Sequence, residues 1–121
     1  MAPNRNRTRG INYEQKIVRE LKDLGFDVGT TRNYSKAEDD NKVDIYSIDN
    51  QMPLKIQLKK TQNTPQYFKI RSESTADPKD FCLIWNKQVK KNKNFCSEGE
   101  CVIMDKELFY DLIKTKYGKE K

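Results

Sequence analysis

The stretch KVDIYSIDNQMPLKIQLKK, residues 42–60, carries most of the information on how this chain folds. It contains two runs rich in β-forming residues, 43–48 and 54–61, and a short connection of turn-forming residues joins them. Such a pattern predicts an antiparallel β-hairpin. Because side chains alternate along a strand, Gln57 and Lys59 should project from the same face of the second strand.

The register of this hairpin decides which polar side chains meet. If the turn centres between residues 50 and 51, Asp44 lies opposite Gln57 on the same face, with Lys59 in diagonal reach. A slip of one residue would turn Asp44 to the other face. We therefore expect convergence of a carboxylate, an amide and an amine only in the first register.

The segment before the hairpin is predicted to be an amphipathic helix. Between Ile11 and Leu24, apolar side chains including Ile17 and Val18 recur at intervals of three and four, and Gly25 follows as a stop signal. Glu14 falls on the same stripe and should therefore face the sheet. A carboxylate in that position suggests a function.

The first nine residues contain Arg5, Arg7 and Arg9 and no apolar run. This composition predicts a mobile basic arm of the kind that holds phosphates. The expected organisation is an arm at residues 1–9, one domain at 10–118 and a short tail at 119–121.

The remaining elements complete a mixed sheet. Before the hairpin we predict a short strand at 26–31 and a polar loop at 33–42. After it we predict a crossover or short helix within 62–79, a strand buried on both faces at 81–85, a basic loop or ribbon tip at 86–94 and a short strand at 101–104. The last helix is predicted to be capped by Asp105, to end at Gly118 and to face inward with Leu108, Phe109, Leu112 and Ile113. The resulting fold class is α/β, a single domain with a mixed central β-sheet of about five strands flanked by helices.

The composition limits the binding partners and catalytic mechanisms that are open to this chain. The 121 residues carry a net charge of +6, which favours a polyanionic partner, although a merely soluble basic protein would show the same excess. The chain has no histidine, so histidine-based nucleases, serine triads and cysteine–histidine pairs are excluded. Any catalysis must use carboxylates, amides, lysines and a metal ion.

The cysteines and the hydropathy pattern indicate a cytoplasmic protein. Cys82, Cys96 and Cys101 have no histidine to complete a zinc site with them, and Cys96 and Cys101 could form a disulfide or, as expected inside a cell, remain reduced. No run is apolar enough for a membrane span or a signal peptide. Neither a membrane nor a small-molecule cofactor is expected as a partner.

The order of the polar residues resembles that of the PD-(D/E)XK nuclease superfamily. In that superfamily an acid on a first helix precedes an Asp before a strand and an acid-x-Lys on the next strand, and Glu14, Asp44, Gln57 and Lys59 match these positions in order. The small archaeal-type Holliday junction resolvases are similar over roughly residues 7 to 61. The matching pieces are Gly10, Tyr13 and Glu14 of a GxxYE motif, the VDI strand at 43–45 and the ending Lys59-Lys60.

The resemblance implies a set of roles. Glu14, Asp44 and Gln57 would hold Mg²⁺ or Mn²⁺, which would activate water for phosphodiester hydrolysis. Lys59 would orient or deprotonate that water and stabilise developing charge. Ser35 would lie near the scissile phosphate. Taken singly, each of these residues could instead be an ordinary surface or edge-strand side chain.

One departure from the superfamily pattern concerns Gln57, which stands where the second acid is usually a glutamate. Some restriction enzymes of the superfamily are similar in using Gln-x-Lys. An amide oxygen can still bind a hard cation, but the site loses one negative charge and should bind its metal more weakly.

Substrate contacts are expected to reach the DNA backbone rather than the bases. The candidates are Arg5, Arg7, Arg9, Arg32, Lys36, Lys60, Lys87, Lys90 and Lys91. The resemblance implies branched DNA as substrate and a homodimer as the working form. The alternatives are a restriction-like nuclease for linear DNA, a non-catalytic nucleic-acid-binding domain on a nuclease fold, and an interaction protein that binds an acidic partner.

Overall fold

The computed structural model describes residues 5–30, 43–48, 54–74, 77 and 79–118, with side chains from residue 10 onward. Within these ranges the chain forms three helices and five strands: α1 (Arg5–Asp23), β1 (Val28–Thr30), β2 (Ile45–Ser47), β3 (Lys55–Thr61), α2 (Tyr67–Glu73), β4 (Phe81–Lys91), β5 (Asn94–Met104) and α3 (Lys106–Tyr117). The predicted single-domain α/β fold is thereby confirmed.

The strands form one mixed sheet in the order β1–β2–β3–β4–β5. β3 and β4 are parallel, and α2 lies in the crossover between them, whereas the other neighbouring pairs are antiparallel. The predicted order of helix, three strands, crossover, two strands and helix is correct. The alternative left open for residues 62–79 resolves as a short helix.

The two faces of the sheet support separate apolar clusters. On the first face, side chains from α1 and α3 pack against the sheet; this cluster comprises Tyr13, Ile17, Val18, Val28, Ile45, Ile56, Leu58, Cys82 and Leu108. On the second face, Tyr67 of α2 packs against Phe81 and Leu83 of β4. Because β4 carries buried side chains towards both faces, its start is the continuous apolar run expected of a central strand.

The first helix begins earlier than the sequence predicted. It starts at Arg5, so the second half of the predicted basic arm is part of α1, and residues 1–4 lie outside the described ranges. At its other end, Gly25 adopts a φ of 101°, a left-handed conformation that glycine accepts without a steric penalty. The helix therefore ends where the glycine predicted.

Of the two alternatives for residues 86–94, the structure has the ribbon tip, but the strands on either side are longer than the predicted 81–85 and 101–104. β4 continues to Lys91, a tight turn follows at Asn92 with a φ of 57°, and β5 begins at Asn94. β3 pairs with β4 only as far as Lys87, so residues 88–97 extend beyond it as a two-stranded ribbon. A polar ribbon outside the core lacks the apolar alternation by which strands are recognised in a sequence.

The last helix also corrects the sequence analysis. Leu108 is buried and Leu112 is partly buried, but Phe109 and Ile113 are exposed, so α3 buries only a narrow stripe. Asp105 occupies the N-cap position without a side-chain capping bond. Its carboxylate instead accepts hydrogen bonds from Tyr67 and Arg71.

Candidate active site

The hairpin of β2 and β3 has the register that brings the predicted residues together. Ile45 pairs with Ile56, which sets Asp44 beside Gln57 on the neighbouring strand. The Asp44 N–H donates to the Ile56 carbonyl at 2.8 Å. This bond extends the contact with β3 to Asp44, the residue just before β2.

The Asp44 side chain turns towards the backbone of β3 rather than standing on one face. Its Oδ2 accepts a hydrogen bond of 2.8 Å from the N–H of Leu58, the residue between Gln57 and Lys59. The side-chain carboxylate thus accepts from β3 a hydrogen bond that the backbone carbonyl of a neighbouring strand would accept in a regular sheet. The predicted register is correct, but the Asp44 side chain is bonded to the β3 backbone and does not lie on the face that carries Gln57 and Lys59.

Gln57 contains a buried polar atom without a partner. The side chain is 7 % exposed, and its Oε1 accepts no hydrogen bond from the described residues. An unsatisfied buried acceptor costs about 1–3 kcal/mol, so such groups are rare in folded proteins. An amide oxygen in this state is suited to receive a cation or a donor from a ligand.

Glu14 and Lys59 lie on the elements that the sequence predicted. Glu14 is buried on α1, the helix that packs against β1 and β3. Lys59 is half-buried and lines a cleft of about 760 Å³ at the end of β3. Of the four predicted catalytic residues in the described ranges, Lys59 alone contributes to the lining of this cleft.

The donor set suits a hard divalent cation. Glu14, Asp44 and Gln57 have oxygen atoms of the kind that Mg²⁺ or Mn²⁺ accepts. The structure does not bring all three together on one face, because Ile56 and Leu58 pack with α1, whereas Gln57 alternates with them and faces the other side of the sheet. Within the described part of the chain no group of three or more cysteine, aspartate or glutamate side chains is arranged to hold a metal. Glu14, Asp44 and Gln57 do not count as such a group, because only two of them are carboxylates. With one negative charge fewer than three carboxylates would give, we expect weak metal binding.

A cluster beside Glu14 was not predicted from the sequence. The Tyr13 hydroxyl donates to Glu100 Oε2 at 2.7 Å, and the Lys16 ammonium donates to Glu100 Oε1 at 2.8 Å. Burial and the carboxylate raise the pKa of Tyr13 far above the usual tyrosine range. The hydrogen bonds from Lys16 and then Tyr13 lower the pKa of Glu100. The contact joins α1 to β5 across 87 positions, and no local signal marks it.

Amide and hydroxyl groups continue this polar region along the same face. Asn86 and Gln88 are buried on β4, and Asn86 Oδ1 accepts from Gln88 Nε2 at 2.8 Å and from the Ser97 hydroxyl at 2.6 Å. The sheet is therefore polar around Asn86 and Gln88, whereas it is apolar around Phe81 and Leu83.

The predicted DNA-binding residues fall into two groups. Lys60 lines the cleft and lies 5.9 Å from the ring of Tyr13, and Lys90 and Lys91 are exposed on the ribbon. Lys87 is partly engaged, because its ammonium donates to the Gln62 carbonyl. The side chains of Arg5, Arg7, Arg9, Arg32 and Lys36 lie outside the described residues, as does Ser35, which was predicted to be catalytic.

The cysteines take no part in the candidate site. All three are free; Cys96 and Cys101 are exposed on β5, and Cys82 is buried in the core. Burial raises the pKa of Cys82 to about 12, which leaves its thiol protonated and unreactive at neutral pH.

Comparison with known proteins adds no relative: no family model, curated protein or solved structure matches this chain. No helix in the described ranges is long and apolar enough to cross a membrane.

Proposed function

We propose that this chain is a metal-dependent endonuclease that hydrolyses phosphodiester bonds in DNA, with branched DNA as its substrate and a homodimer as its working form. The observation that supports the activity is the buried, unpartnered Oε1 of Gln57 on the strand whose backbone binds the Asp44 carboxylate. The preference for branched DNA and the homodimer rest on the resemblance to junction resolvases.

Each residue contributes a distinct part of the chemistry. Glu14, Asp44 and Gln57 would hold Mg²⁺ or Mn²⁺, which when bound supplies Lewis acidity at the phosphate and lowers the pKa of water. Lys59 lines the cleft, where its ammonium would orient the attacking water and stabilise negative charge on the phosphate oxygens. The backbone bond from Leu58 keeps Asp44 in place before the substrate arrives.

The charge distribution supports DNA as the substrate. The chain carries a net charge of +6, and lysines lie both in the cleft and on the ribbon. Contacts of this kind neutralise phosphates without reading bases, and their strength falls as salt rises. A cytoplasmic location belongs to the same proposal, because free thiols are what a reducing compartment maintains.

The direct test is cleavage of a labelled four-way junction and a linear duplex, with Mg²⁺ or Mn²⁺, by the parent chain, Asp44→Asn and Lys59→Ala. Asp44→Asn retains an oxygen that can accept from Leu58 but removes the charge, so the fold should survive. Cleavage should fall about a hundredfold or more in each variant. Asp27→Asn and Lys79→Ala alter exposed residues and should cleave like the parent.

A second variant separates an enzyme from a binding domain. Gln57→Glu restores the acid that the superfamily usually carries, and it should lower the Mg²⁺ concentration needed for half-maximal cleavage. Salt-sensitive DNA binding without cleavage, by parent and Gln57→Glu alike at every metal concentration, would establish the non-catalytic alternative. Cleavage of linear duplex alone would establish the restriction-like one.

A further inference from the structure

The cleft at the end of β3 lies between the beginning of α1, the ribbon and the loop that follows β3. It is lined by Gly10 of α1, by Lys59 and Lys60 of β3, and by Gln88 and Phe95 of the ribbon, among others. We propose that this cleft binds an unpaired nucleotide of the DNA strand next to the scissile phosphate. This inference rests on the proposed function and specifies its substrate.

The wall of the cleft formed by the loop after β3 is held by side chains of β4. The Trp85 indole N–H donates to the carbonyl and the hydroxyl of Thr61 at 3.2 and 3.1 Å, and Lys87 donates to the Gln62 carbonyl. The Thr61 hydroxyl in turn donates to the Asn63 carbonyl at 2.8 Å. These bonds shape the loop before a ligand arrives, which lowers the entropic cost of binding.

The charge of the cleft suits a phosphate. Lys59 and Lys60 line it, and no aspartate or glutamate occurs among its described lining residues. Among neighbouring acids, Asp44 accepts a hydrogen bond from the N–H of the lining residue Leu58, and Glu100 is paired with Lys16 and Tyr13. The volume of the cleft, about 760 Å³, falls in the range of pockets that bind small ligands.

Phe95 distinguishes an unpaired nucleotide from a base pair. Its ring is 45 % exposed on the ribbon, and it lines the same cleft as the two lysines. Aromatic side chains in positively charged grooves stack against the faces of bases in single strands. The faces of paired bases are covered by their neighbours in a duplex, so only an unstacked base can reach such a ring.

The test measures binding in EDTA, where cleavage plays no part. Fluorescence anisotropy would compare a labelled oligothymidylate with a duplex of the same length, for the parent, Phe95→Ala and Phe95→Tyr. Phe95→Ala should weaken binding of the single strand by about tenfold and leave duplex binding unchanged, and Phe95→Tyr should retain the parent affinity. Phe109→Ala, which removes an exposed ring from α3, is the matched control and should bind like the parent.

Equal affinity of the parent and Phe95→Ala for the single strand would overturn the inference, as would an equal loss for single strand and duplex. The cleavage assay keeps this result separate from the proposed function. Junction cleavage by the parent, together with equal single-strand affinity of the parent and Phe95→Ala, would refute the nucleotide site and leave the nuclease standing. Phe95-dependent binding of single strands by a chain that cleaves nothing would refute the nuclease and leave the site.

Discussion

Two polar clusters of similar composition connect α1 and α2 to a carboxylate on β5 or just after it. In the α1 cluster, Glu100 accepts from Tyr13 and Lys16, and in the α2 cluster Asp105 accepts from Tyr67 and Arg71. Each is a carboxylate bound by a tyrosine hydroxyl and by a cation one helical turn away.

The clusters differ in their exposure to water. The side chains of Arg71 and Asp105 are 29 % and 21 % exposed, whereas those of Lys16 and Glu100 are 49 % and 33 % exposed. Charge pairs gain strength as water is removed from them, and exposed pairs contribute little. We infer that the α2 cluster stabilises the fold, whereas the α1 cluster, which borders Glu14, mainly orients the helix that carries the candidate site.

The largest effect on stability is expected from Asp105→Ala. It leaves the Tyr67 hydroxyl and the Arg71 guanidinium without their acceptor in a partly buried place. The free energy of unfolding should fall by about 3 kcal/mol, measured by urea denaturation. Asp111→Ala, which removes an exposed carboxylate from the same helix, is the control and should change it by less than about 0.5 kcal/mol. A loss below about 1 kcal/mol for Asp105→Ala would remove the distinction between the clusters.

Glu100→Ala should affect stability less and activity more. The expected loss of unfolding free energy is about 1 kcal/mol, because the carboxylate is partly exposed. If the proposed nuclease activity holds, cleavage of the junction should fall about tenfold, since α1 loses a tie next to Glu14 and small displacements of catalytic groups are costly.

Glu98→Ala is the matched control, because this exposed acid lies two residues away on β5. It should change neither quantity. A fall in stability as large as that of Asp105→Ala, with cleavage unchanged, would show that the α1 cluster also serves the fold alone.

The sequence predicted the β2–β3 hairpin and the buried stripe of α1 better than it predicted either cluster. The register of β2 and β3 followed from turn position and alternation, so the neighbourhood of Asp44 and Gln57 could be foreseen. The burial of Glu14 followed from its place on an apolar stripe. Both arguments use local periodicity, which a single sequence contains.

The partners of Glu100 and Asp105 could not be foreseen. Glu100 lies in a polar run that has the composition of a loop, and its contact with Tyr13 depends on β5 continuing through that run so that Glu100 pairs with Asn86. Asp105 has the sequence signature of an N-cap, but tertiary contacts with α2 occupy its carboxylate. Long-range pairing decides both cases, and local propensity does not encode it.

The smallest effect concerns pH and the α1 cluster. The Lys16 ammonium and then the Tyr13 hydroxyl lower the pKa of Glu100 below the ordinary glutamate value. A carboxyl whose pKa is lower in the folded state binds fewer protons when folded, so its stabilising contribution is present above the ordinary glutamate pKa of about 4.3 and is lost as pH falls through the lower folded value. Because the group is partly exposed, the contribution should be a few tenths of a kcal/mol.

Glu100→Gln cannot titrate, so the difference in unfolding free energy between the parent and this variant isolates the contribution of Glu100. Urea denaturation from neutral pH down to about pH 3 should give a constant difference above about pH 5 that shrinks below the ordinary glutamate value. Acidic groups elsewhere cancel, because both chains carry them, and Glu98→Gln should show no such pH dependence. A difference that stays constant to the lowest pH would mean that the charge of Glu100 contributes nothing to holding α1. The tie would then consist of the Tyr13 hydrogen bond alone, and the two clusters would differ in kind rather than in strength.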